Sequence, residues 1–386
     1  MEYIINLIGH DLKINNIIKA DNCTLTDQNG TKYLDLESGV WCTSIGHSNK
    51  AVSEVIYNCS NLFMHSGYCY NSMDVNNSAK KVLEISGLNN GKCVFLCSGS
   101  EAVDLAISVS MHITKRKKIL VLSDSYLSAF GHFANKDEIE TYNWINRNAL
   151  NEIDYTTIGA FVFEPGSSSG LVRFPEINII SEIIENVRKS GGLLIANEVT
   201  TGIGRTGSWF GFNHYGISPD IIAVGKGIGN GYPVSCVLFS EETVSKIDLN
   251  NFHYGQSHQN DPMGAKVALC VINEIEKNNL IDRANKIGNY IKSRIECIKE
   301  KYGVIKEIRN RGLMFAVEFE PLEFRSISQE VTDILFQEKI ILVKRPNNEV
   351  IRFDPALTIN QSDVDFFLKV FEKAIKEIRL TPASTL

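Results

Sequence analysis

The sequence predicts an α/β fold built on a mostly parallel sheet, and three observations point there. Short apolar runs recur along the chain, each ending in a polar or glycine turn. A longer helical pattern follows most of them. The runs are apolar throughout rather than alternating, as strands covered on both faces must be.

In chain order the runs are "KCVFLCSGS" (92–100), "KILVLSDS" (118–125), "IGAFVFEPG" (158–166), "GLLIANEV" (192–199), "DIIAVGKG" (220–227) and "PVSCVLFS" (233–240). Alternating with helices, they define one large α/β unit over 49–283. Before it, 1–48 carry "CTLTDQNGTKYLDLESG", two short strand-like pieces around an Asn-Gly turn. After it, 284–386 change to long helical runs, "ANKIGNYIKSRIECIKEKY" and "DVDFFLKVFEKAIKEI", interleaved with strands such as "LMFAVEF" and "EVIRFDPAL". That is a smaller α+β unit, expected to share its layer with the N-terminal piece. The closing "TPASTL" reads as a frayed tail.

A length of 386 residues suffices for two or three domains with a substantial core. With 44% hydrophobic and 22% charged residues, neither disorder nor a membrane span is expected. The net charge of −6 argues against a nucleic-acid-binding surface, so small-molecule chemistry is the expectation. The nine cysteines form no CxxC pair and no cluster at zinc-ligand spacing. Together with a start that matches no secretory signal, they predict reduced thiols in a cytoplasmic chain.

Ligands of open parallel sheets bind beyond the carboxyl ends of the strands. Those ends offer Ser98-Gly99-Ser100, Ser125-Tyr126, Glu164-Pro165, Asn197-Glu198 and Lys226. The Ser-Gly-Ser turn stands between a strand and an amphipathic helix, where free N–H groups and the helix dipole suit a phosphate. A purely structural reading makes it an N-capped helix with Ser100 as the cap. Lys226 ends a buried strand among glycines, where desolvation favours a neutral, nucleophilic amine; its structural reading is a lysine emerging into solvent. Tyr126 either stacks on a planar ligand or fills core. Together these are the parts that hold pyridoxal 5′-phosphate as a Schiff base.

The sequence resembles the class III (ornithine/acetylornithine/ω-amino acid) aminotransferases, pyridoxal-phosphate enzymes of fold type I, over almost its whole length. The resemblance rests on "YLDLESGVWCTSIGHSN", "CSGSEAVDLA", "EPGSSSGL", "NEVTTGIGRTG", "PDIIAVGKGIGNGYP", "IRNRGLMFAVE" and "IRFDPALTI", which keep the family's order and spacing. It implies a seven-stranded type of sheet and an amino transfer between an amino donor and a 2-oxo acid. Lys226 is implied to hold the cofactor and shuttle the proton. Ser98, Gly99, Ser100 and Glu164 fall in the cofactor-binding motifs, with Gly99 and Ser100 on the phosphate. Tyr126 and Val199 are implied to cover the two ring faces. Ser257 falls where a threonine reaches the phosphate of the neighbouring subunit, implying a homodimer with active sites at its interface. Arg352 matches an arginine that grips the substrate carboxylate; its structural reading is a strand arginine paired to Asp354 or another nearby acid.

Asn197 departs from the family's aspartate, whose charge keeps the pyridine nitrogen protonated. Charged hydrogen bonds contribute about 1.5–3 kcal/mol and neutral ones about 0.5–1.5, so the amide withholds on the order of 1–2 kcal/mol. Three readings follow: an aminotransferase with a weaker electron sink, another reaction such as racemisation, or a charge supplied by Glu198 or a shifted loop. Glu198 otherwise reads as an acid tying down loop N–H groups, and Arg205 as a brace for the same loop. His47 and His258 read as loop or interface residues, with no carboxylate or second histidine at ligand spacing, so no metal is expected.

Overall fold

Seven strands assemble into one sheet in the computed structural model, which describes residues 3, 5, 12–67, 69–129, 131–134, 136–144, 147–323 and 325–380. Their order is Lys92–Leu96, Ser235–Phe239, Ile221–Val224, Leu193–Asn197, Ile158–Phe163, Lys118–Leu122 and Ile139–Tyr142. Only Ser235–Phe239 runs antiparallel to its neighbours; the remaining pairings are parallel. The four strands from Ile158–Phe163 to Ser235–Phe239 are buried at every residue, which is why they read as unbroken apolar runs.

Alternate residues of these strands face different helices. Ala160, Val162 and Ile195 pack with helix Gly99–Thr114, through Ala102, Leu105 and Ala106. Phe161, Phe163 and Leu194 pack on the opposite face with helix Ile177–Lys189, whose Ile179, Ile180, Ile183, Ile184 and Val187 make one apolar stripe. The strand Ile139–Tyr142 is not announced by the sequence. It lies at the sheet edge with two of its four residues half-buried and one exposed, so it carries no apolar run.

The N-terminal segment supplies three antiparallel strands, Ile17–Asp21, Thr24–Asp27 and Lys32–Asp35, one more than the Asn-Gly signal predicts. At that turn the Asp27 carboxylate accepts the N–H groups of Asn29 and Thr31, both at 2.9 Å, and Gly30 takes φ +81°. Strand Ile340–Ile341 joins this sheet parallel to Lys32–Asp35, which brings the two chain ends into one layer. A further antiparallel sheet runs Ile305–Arg311, Met314–Phe319, Val350–Phe353, Val343–Lys344. The expected helical runs fall within Leu280–Tyr302 and Gln361–Leu380, while 381–386 lie outside the described residues. Among the described residues, no helix is long and apolar enough to cross a membrane.

Candidate active site

The turn after strand Lys92–Leu96 is held by a capping box. Ser98 Oγ accepts the Glu101 N–H at 3.3 Å, while the Glu101 carboxylate accepts the N–H groups of Ser98 (2.7 Å) and Cys97 (3.0 Å). The cap is therefore Ser98, not Ser100. Ser100 Oγ instead accepts the Ala129 N–H at 3.1 Å, drawing in the loop that follows Tyr126. Gly99 and Ser100 occupy the first two helical positions, whose N–H groups have no acceptor within the helix. A side chain at 99 has no room, because its Cβ would lie 2.6 Å from Val199 Cγ1. A Cβ at 225 would lie 3.1 Å from Gly99 Cα, so the residue before Lys226 abuts this turn.

At the end of the central strands, Asn197 and Glu164 form a buried pair. Asn197 Nδ2 donates to Glu164 Oε1 at 2.9 Å, and Asn197 Oδ1 accepts the Val199 N–H at 3.2 Å. A carboxylate only accepts and an amide N–H only donates, so these partners fix which way the Asn197 amide points. Glu164 also accepts the N–H groups of Tyr126, Leu127 and Ser168 and the Ser168 hydroxyl. Burial pushes its carboxyl up while these donors pull it down. Glu198 lies elsewhere: its carboxylate accepts from Gly211 N, Phe212 N and Thr201 Oγ1, the loop-tying role expected of it.

Lys226 opens the turn that follows strand Ile221–Val224, with φ +46°. Its amine sits 4.6 Å from the centroid of the Trp41 ring, half-buried and without an acid partner among the described residues. Burial pushes this amine below the ordinary lysine range. The Arg352 guanidinium carbon lies 3.8 Å from the same ring centroid. Arg352 Nε stands 2.8 Å from Asp354 Oδ2, with both side chains buried. The structural reading of Arg352 thus holds as far as the Nε edge. The contact is an ion pair rather than a hydrogen bond, since Arg352 Nε and both Asp354 oxygens have no hydrogen-bond partner among the described residues. Arg205 braces the corner, donating to the carbonyls of Leu313 and Pro355.

Tyr126 is 58% exposed, so it does not fill core. Ser257 is exposed too, on a loop tethered to the Ser-Gly-Ser turn by Gln256, whose amide donates to Glu101 at 3.0 Å. Sequence reasoning does not single out Trp41, which comes from the N-terminal segment and meets both cations only in the folded chain. Its nearest sequence signal is the Ser38-Gly39 start of a left-handed turn over Ser38–Trp41. The reading of His258 needs correction. His65 and Asp261 stand beside it, and His65 is 196 residues from Asp261 in the chain, beyond any spacing rule. His47 bonds to Asp35 at 2.8 Å.

The class-III aminotransferase family model matches residues 9–135 and 131–375. A leucine/methionine racemase of Thermococcus litoralis is 28% identical across 94% of this chain and 90% of its own length. An acetylornithine aminotransferase of Archaeoglobus fulgidus is 29% identical across 90% and 92%. Among solved structures, an acetylornithine aminotransferase from Elizabethkingia anophelis has the same fold, with a TM-score of 0.85 over 96% of each chain at 24% identity. The chain belongs to the class-III aminotransferases, pyridoxal 5′-phosphate-dependent enzymes of fold type I.

Proposed function

We propose that this chain transfers an amino group between an amino acid, or another carboxylate-bearing amine, and a 2-oxo acid, with Lys226 carrying the chemistry. The observation that supports this most is the Lys226 amine, half-buried over Trp41 without an acid partner among the described residues, on the residue that follows Gly225 and its contact with the Gly99 turn. When bound, pyridoxal 5′-phosphate supplies an aldehyde that captures amines and a ring that takes up the electron pair left at the substrate Cα. The cradle fits such a group. Gly99 and Gly225 pack so closely against each other and Val199 that neither tolerates a Cβ, which fixes the turn, and the N–H groups of Gly99 and Ser100 suit a phosphate. Tyr126 and Val199 offer faces for the ring, and Ser98 and Glu164 hold the two loops in place.

Pushed toward its neutral form by burial, the Lys226 amine is the group to take the proton from the substrate Cα and return it. Arg352 grips the substrate carboxylate through its Nη edge while Asp354 steadies Nε. Asn197 has one N–H left after bonding Glu164, so it offers a ring nitrogen a donor and no negative charge. We take the working unit as a homodimer in which Ser257, exposed on its own chain, reaches the partner's phosphate site. Nine unpaired cysteines favour the cytoplasm.

A second reading, racemisation, draws on Asn197 and on the similarity to a relative named as a racemase. One experiment separates the two. The holoenzyme is mixed with a panel of single-enantiomer amino acids, and its visible spectrum and the substrate's handedness are followed. Transamination bleaches the cofactor band with a good donor, and Lys226→Ala lowers that rate by at least about 10²–10⁴-fold. Scrambling of handedness without bleaching replaces the first reading with the second. Full activity in Lys226→Ala removes both.

A further inference from the structure

We infer that His65, His258 and Asp261 form a binding site for a divalent transition-metal ion of the zinc type. The inference is independent of the Lys226 reading. His65 Nδ1 lies 2.8 and 3.0 Å from the two carboxylate oxygens of Asp261, and His258 Nδ1 lies 2.5 Å from Oδ2. The two imidazoles stand 4.8 Å apart, tilted by 55°. One donor atom from each of the three residues falls within 4.8 Å of the others. Zinc bonds of roughly 2.0–2.2 Å place donors on a common ion roughly 3–3.5 Å apart, so small rotations bring this set onto one ion.

The backbone prepares the carboxylate for that role. Asp261 is the N-cap of helix Pro262–Lys277, yet its side chain accepts no cap bond from that helix. Instead Asp261 Oδ1 accepts the Ser66 N–H at 3.1 Å, which aims the carboxylate at the two rings. The His258 N–H donates to Gln256 Oε1 at 2.6 Å, fixing the second ring's backbone. Without an ion, each imidazole donates from Nδ1 to the shared carboxylate. With an ion, the same nitrogens present lone pairs while the protons sit on Nε2.

Two histidines and one carboxylate leave coordination positions for water, a set suited to Zn²⁺, Co²⁺ or Ni²⁺ rather than to Ca²⁺ or Mg²⁺. Within the single chain the histidine side chains are 49% and 59% exposed. Binding would clamp the segment carrying His65 to the loop that carries Ser257.

Equilibrium dialysis of the full-length holoenzyme against micromolar zinc chloride, read by elemental analysis, tests the site. One zinc per chain is expected, with affinity at least about tenfold weaker in His65→Ala, in His258→Ala and in Asp261→Asn. The exposed Cys69 lies on the same loop as His65, so Cys69→Ser must leave binding unchanged. Circular dichroism confirms that each variant is folded. A wild-type chain that takes up no zinc overturns the inference, as does zinc retained in either histidine variant or lost in Cys69→Ser.

Discussion

Lys226 and Arg352 approach the same indole, 4.6 and 3.8 Å from the Trp41 ring centroid, yet the fold treats the two cations differently. The lysine is left without an acid among the described residues, whereas the arginine receives a buried carboxylate 2.8 Å away. The difference follows from their chemistry. A desolvated ammonium escapes its cost by releasing a proton, and burial here drives Lys226 in that direction. A guanidinium keeps its proton in proteins and has no such escape, so its charge needs a buried counterion. Trp41 thus meets one cation that burial pushes toward its neutral form and another whose charge is permanent.

The largest expected effect comes from breaking that counterion. Asp354→Asn leaves the Arg352 charge without compensation at a site 3% exposed, and the loss of stability is expected to be about 3–5 kcal/mol. Urea unfolding measures it. Arg352→Met combined with Asp354→Leu removes both charges and is expected to recover most of the loss, though not the carboxylate grip. A single Asp354→Asn chain as stable as the wild type would place the counterion elsewhere.

Much of this arrangement is legible in the sequence. Strands apolar at every position announce the sheet, and the parallel-sheet rule turns their ends into a short set of residues that includes Lys226, Gly99 and Asn197. Arg352 and Asp354 are two apart on strand Val350–Phe353 and its exit, a spacing that puts both on one face. What the sequence does not disclose is contact across distance. Asn197 meets Glu164 from 33 residues away, and Trp41 meets Arg352 from the other end of the chain. Edge strand Ile139–Tyr142 stays hidden because its burial is partial. The cap at Ser98 was legible only with the Glu101 side chain in view, since a Ser-x-x-Glu capping box starts one residue before the glycine.

The lysine side also withholds charge at Asn197, and restoring it sharpens the comparison. Asn197→Asp would set two buried carboxyls about 2.9 Å apart, where the amide now bonds Glu164. Both cannot ionise, so one keeps a proton in the folded chain with its pKa raised. The unfolded chain releases that proton near its ordinary pKa, about 4, so stability falls as pH rises above that point. The loss is complete once pH passes the raised folded-state pKa. A rise of about two units corresponds to a loss on the order of 2–3 kcal/mol at pH 8. Thermal unfolding between pH 4 and pH 8 is expected to show this slope relative to wild type. Glu164→Gln in the same chain should flatten it, and a slope that persists in the double variant would mean the two side chains do not share the site.

Where the arginine corner is organised by charge, the turn beside Lys226 is organised by close packing, and the smallest effect is expected there. Gly99→Ala puts a Cβ 2.6 Å from Val199 Cγ1, beside Gly225 and the lysine it precedes. Val199 ends a short side chain with one rotatable bond, so it yields by turning or by shifting the strand end, at about 1–2 kcal/mol. The same shift moves the N–H groups of Gly99 and Ser100, and pyridoxal 5′-phosphate affinity, read by the return of the visible cofactor band on titration, should weaken several-fold. Val199→Ala in the same chain removes the methyls that clash and is expected to relieve the crowding and restore stability. If Gly99→Ala binds the cofactor as wild type does, the turn has slack, and packing would not be what sets the distance between the helix terminus and Lys226.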